Sequence, residues 1–149
     1  MKPRLNYSKL EPAALRAMLE LENYVADSGL DPSLRELIKI RASQINGCAY
    51  CIDMHTKDAR AAGETEQRIY ALNAWRETPF FTDRERAALE WTEALTLIAE
   101  INISDQLYEA TREHFTESEI IALNIAVIAI NGWNRLAISF GTVPGLYKR

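Results

Sequence analysis

Glu36-Leu37-Ile38-Lys39-Ile40-Arg41-Ala42-Ser43-Gln44-Ile45-Asn46-Gly47-Cys48-Ala49-Tyr50-Cys51-Ile52-Asp53-Met54-His55 contains a helix, a stop and the opening of a second helix. Leu34, Leu37, Ile38, Arg41 and Ile45 recur at helical spacing, and Asp31 followed by Pro32 supplies a cap and a first-turn residue upstream of them. Asn46-Gly47 is where that helix ends. A further helix begins near Cys48 and stops at Gly63. If the chain reverses at Asn46-Gly47, the two helices pair antiparallel. At about 1.5 Å per residue, Glu36 then lies about 15 Å below the turn and His55 about 12 Å. The carboxylate is therefore level with the imidazole and out of direct reach of Cys48.

Outward from this pair the periodicity stays helical. One helix is expected over Glu11–Val25, closed by Ser28-Gly29, and a short one over Glu64–Trp75. Thr82 with Glu85 and Thr116 with Glu119 read as capping boxes. The first opens a helix bearing Ala88, Trp91, Leu95 and Ile98, and the second opens the most apolar segment, Ile120–Phe140, with Ser104–His114 as a weaker helix between them. That apolar segment is expected to be a buried central helix or an oligomer contact. Residues 141–149 read as a tail. The expectation is an all-α fold of about seven helices in a single domain, 1–149.

With 149 residues and 48% hydrophobic content, the chain can bury an ordinary core without disulfide staples. Seventeen basic against 21 acidic residues give a net charge of −4, with no basic stripe, which argues against nucleic-acid or anionic-membrane partners. The N-terminus lacks the apolar core of a secretory signal, and the longest unbroken apolar run is only Ile125–Ile130. A soluble cytoplasmic protein is expected.

Both cysteines lie three positions apart, so a bridge between them closes a tiny loop and constrains the unfolded chain little. Redox chemistry or metal binding is the better use of such a pair. On a helix starting at Cys48, positions 48, 51 and 55 share one face, and Cys51 and His55 are direct neighbours. The helix N-terminus favours thiolate over thiol, and an imidazole can take the proton. Glu36, His55 and Cys51 thus form a candidate proton relay in which the carboxylate orients the ring and the ring serves the thiol. A sulfenic acid on Cys51 could then condense with Cys48. Proximity to the helix end argues instead for Cys48 as the attacker; the neighbouring imidazole assigns attack to Cys51. Zinc is the chemical rival, but no fourth soft ligand is visible and the other histidine, His114, lies in a distant helix. Asn124, Asn131 and Asn134 draw a polar line along the apolar helix, serving either the pocket or ordinary core hydrogen bonding.

The spacing Glu, eleven residues, Cys, two residues, Cys, three residues, His resembles the core of the alkylhydroperoxidase D (AhpD)-like branch of the carboxymuconolactone decarboxylase superfamily. Asn131-Gly132-Trp133-Asn134-Arg135-Leu136 is more loosely similar to its last helix. The resemblance implies an AhpD-like helical bundle assembling into trimers or hexamers. It also implies a thiol peroxidase or disulfide reductase without haem, flavin or metal, reset by a lipoyl- or thioredoxin-type dithiol. Glu36, Cys48, Cys51 and His55 would be its relay and redox pair. Tyr50 stands between the cysteines where the best-characterised type has a histidine. Two other functions remain open: a non-catalytic oligomer whose dithiol senses oxidation, and decarboxylase chemistry like that of the superfamily's namesake.

Overall fold

The computed structural model describes residues 2–149. Its elements are α1 (Tyr7–Leu10), α2 (Pro12–Asp27), α3 (Pro32–Asn46), α4 (Ala49–Ala61), α5 (Glu66–Ala71), a 3-10 segment (Leu72–Glu77), α6 (Asp83–Thr96), α7 (Asp105–Arg112) and α8 (Glu117–Phe140). The fold is all-α, with no strand among the described residues.

Local chemistry sets most boundaries. The Asp31 side chain accepts from the Leu34 amide at the start of α3. At its end Gly47 takes φ +69°, a left-handed conformation that costs glycine little and turns the chain into α4. Thr82 with Glu85 and Thr116 with Glu119 form reciprocal capping boxes that open α6 and α8. The segment expected as one helix over Glu64–Trp75 divides into α5 and the 3-10 segment, where Ala74 leaves helical geometry. α1 is an additional element, a single turn capped by Asn6 and too short for periodicity to reveal.

α3 is the hub, packing against α4, α6 and α8. Leu37 and Ile40 turn toward Ala59, Leu72, Trp75 and Leu89. Leu34 and Ile38 turn toward Trp91, Leu123 and Val127. Burying each such side chain contributes about 1.5–3 kcal/mol. α8 is long and apolar enough to cross a membrane, yet its buried residues, including Leu123, Ala126 and Ile130, face α2, α3 and α6 as a core helix. Its outer side leaves Ile121, Ile128 and Ile138 exposed.

The segments before α1 and after α8 fold back onto α8 and α4. The Arg4 amide donates to the Phe140 carbonyl at 2.9 Å, which ties the N-terminal segment to the end of α8. Residues 141–149 do not trail free as expected. The Gly145 amide donates to Asp53 at 2.9 Å and the Tyr147 hydroxyl donates to Asp58 at 2.9 Å, so the tail straps onto α4.

Candidate active site

Cys48 is the N-cap of α4, and its Sγ accepts the backbone N–H of Cys51 at 3.4 Å. Both thiols are free and 1% exposed, packed with Ala42 of α3 and with Ile130 and Ala137 of α8. One turn on, His55 is also buried. Its Nδ1 is 2.9 Å from Glu36 Oε2, so the carboxylate of α3 and the ring of α4 meet at the same height. That contact occupies Nδ1, and His55 also lines the cavity.

The cavity, about 340 Å³, is walled by α2, α3, α4 and α8, with Tyr7 of α1 alongside. Cys51, Met54, His55 and Tyr50 line it from α4, whereas Cys48 does not. Leu15, Leu19 and Trp133 make much of the wall apolar. Glu22 forms its polar part, accepting from Lys39 at 2.7 Å and from the Trp133 indole at 3.0 Å.

The two thiols share one charge unequally. The Cys51 thiol donates to Cys48 and pulls the Cys48 pKa down to about 7; burial opposes this, and the Cys51 and Tyr50 amides and Asn134 assist it. The same hydrogen bond, then burial and then the Cys48 charge, push the Cys51 thiol up. These directions favour thiolate at Cys48, at the helix end, and disfavour it at Cys51. Burial pushes the Glu36 carboxyl up, but the His55 hydrogen bond, the His55 charge, Lys39 and Arg35 outweigh it and leave its pKa lowered.

Glu36, His55 and Asp58 are the cluster of potential metal ligands among the described residues, with their ligand atoms within 4.8 Å of one another. The sulfurs are not part of it. The four residues singled out by spacing fall together here. Sequence reasoning did not place Tyr7, Glu22, Lys39 or Trp133 at the cavity, nor Ser43 and Asn134 beside the sulfurs. Asn134 alone gave a signal, as a polar residue in the apolar helix.

An all-helical bundle that buries a Cys-x-x-Cys pair beside a Glu–His couple defines a class, and similarity gives it a family. Residues 12–94 match the carboxymuconolactone decarboxylase family, and the chain belongs to it. An uncharacterized protein from Bacillus subtilis, YdfG, is 48% identical over 141 residues, 95% of this chain and 96% of that one. A crystal structure of an Agrobacterium tumefaciens protein of unknown function, proposed to be the antioxidant defence protein AhpD, superimposes with a TM-score of 0.94. It is 46% identical and covers 98% of this chain and 100% of its own. The alkyl hydroperoxide reductase AhpD of Mycobacteroides abscessus is 40% identical over 47 residues, 32% of this chain and 27% of that protein.

Proposed function

We propose that the chain is a thiol peroxidase that uses Cys51 and Cys48 without a cofactor to reduce organic hydroperoxides. The carrying observation is that a largely apolar cavity ends on Cys51 beside an imidazole held by a partly buried carboxylate. His55 takes the Cys51 proton through Nε2, and Glu36 stabilises the imidazolium that forms. The Cys51 sulfur attacks one peroxide oxygen, the O–O bond breaks, and the departing alkoxide takes the proton from His55. The products are an alcohol and a Cys51 sulfenic acid. The Cys48 thiolate then attacks the Cys51 sulfur, forming the S–S bond and breaking S–O. Hydroxide leaves and becomes water on protonation. A dithiol of the lipoyl or thioredoxin type returns two electrons by exchange.

Stopped-flow turnover of an organic hydroperoxide with a dithiol reductant tests this reading. Turnover should fall to background in Cys51→Ser, and mass spectrometry after mild peroxide should find the Cys48–Cys51 bridge in the unmodified protein. A single slow oxidation without turnover would instead mark a redox sensor. The low pKa of Cys48 favours a second reading in which Cys48 attacks. A sulfenic acid trapped on Cys48 in Cys51→Ser would establish it; one trapped on Cys51 in Cys48→Ser would rule it out.

The proposal extends to a homo-oligomer, supported by the exposed isoleucines along α8. It also extends to a reducing cytoplasm, which suits a working dithiol.

A further inference from the structure

We propose that Asn134 is a catalytic residue of the dithiol site, forming with Ser43 a neutral hydrogen-bonding cradle that stabilises negative charge on the sulfurs. The inference rests on the thiol chemistry proposed above and adds two residues to it.

Asn134 is fully buried in α8. Ile130 lies one turn before it and Ala137 one turn after, and both pack in the apolar cluster that holds Cys48 and Cys51. A side chain between them lies on the helix face that packs against the cysteine cluster. An amide in such a place is costly unless its polar atoms are matched.

The neighbouring hydrogen bonds decide which end of the amide points where. The Val127 carbonyl can only accept, so the group 2.9 Å from it is Asn131 Nδ2, and Asn131 Oδ1 faces Asn46. Asn46 therefore presents its Nδ2, donating to Asn131 Oδ1 at 3.0 Å and to Asn134 Oδ1 at 2.8 Å. With its oxygen committed to Asn46, Asn134 turns Nδ2 the other way, where it donates to Ser43 Oγ at 3.0 Å. A flipped Asn134 would set two N–H groups against each other at Asn46. The chain of amides thus locks the donor end of Asn134 on the sulfur side.

Ser43 completes the arrangement. It is fully buried, accepts from Asn134, and donates to no oxygen among the described residues. Its hydroxyl proton is left for Cys51, whose thiolate Ser43 favours. Asn134 Nδ2 has a second hydrogen, and the side chain favours the charged form of both thiols. Neither donor titrates in the working range. The cradle thus stabilises a thiolate without adding its own pH dependence. The other titratable groups around the sulfurs are His55, Tyr7 and Tyr50. Burial and then neighbouring charge raise both phenols.

Iodoacetamide alkylation followed against pH on the full chain tests this. The unmodified protein should show a midpoint near 7. Asn134→Ala should raise it by about one unit, making alkylation at pH 7 about fivefold slower, and Ser43→Ala should slow it about threefold. Asn134→Ala removes a core amide and can fail to fold, so the unmodified protein supplies a second measurement. Its Asn134 side-chain amide resonances should shift with the same midpoint as the thiol. Amide resonances that stay still across the thiol titration, or an unchanged alkylation profile in folded Ser43→Ala, would overturn the cradle. Neither measurement involves peroxide. A folded protein that never turns over hydroperoxide would sink the proposed function alone, and normal turnover with unmoved amide resonances would sink the cradle alone.

Discussion

Glu36 and Glu93 are both largely buried carboxylates, with side chains 20% and 12% exposed, and both have lowered pKa values. Their surroundings differ. Glu93, on α6, accepts from Arg41 Nε at 2.7 Å, from the Trp75 indole at 2.8 Å and from Arg76 on its other oxygen. Glu36 has one hydrogen-bonding partner among the described residues, His55, which itself opens on the cavity. A carboxylate saturated by permanent cations and an indole holds helices together and has no proton to exchange. One that shares a single bond with a titratable ring can respond when that ring gains a proton. Depth and charge are alike in the two, so the identity of the partner is what separates a structural carboxylate from one suited to the proposed chemistry.

The contrast breaks most sharply at Glu36. Glu36→Gln retains an acceptor for the His55 ring but loses the charge that stabilises imidazolium, so hydroperoxide turnover should fall about a hundredfold. Stability in urea should change by about 1 kcal/mol or less. Unchanged turnover would place Glu36 with Glu93 as a structural group. Glu93→Gln should give the opposite pattern. Arg41 keeps a neutral partner in place of an ionic one, the domain loses about 1–3 kcal/mol, and turnover per folded molecule is unchanged. A selective loss of activity there would erase the distinction. Trp75→Phe removes a single donor while Arg41 and Arg76 remain, and should cost about 1 kcal/mol in the same denaturation measurement.

The mildest effect is in acid. A carboxyl with a lowered folded pKa contributes stability that is fully present above its unfolded value, here 4.5, and is lost as pH falls through the folded value. Stability should therefore decline below about pH 4.5, less steeply in either Gln variant than in the unmodified protein. Equal slopes would mean that neither carboxyl is shifted by folding.

Helical class, both capping boxes, the stop at Asn46-Gly47 and the register of Cys48, Cys51 and His55 were all legible in the residues themselves. Each depends on contacts within a few positions along the chain, where backbone geometry converts spacing directly into direction. The level meeting of Glu36 and His55 needed only one more assumption, a tight reversal. Asn134 gave a partial sign, since an amide on a greasy helix must find partners, but the partners could not be named. Folding brought Ser43 and Asn134 together across 91 positions, placed Tyr7 and Trp133 at the cavity and strapped the tail onto α4. Such contacts follow from how whole helices pack and cross, and periodicity along one strand of sequence carries no record of that. For the same reason the sequence named the thiols, while only the packed helices decided that Cys51 lines the cavity and Cys48 does not.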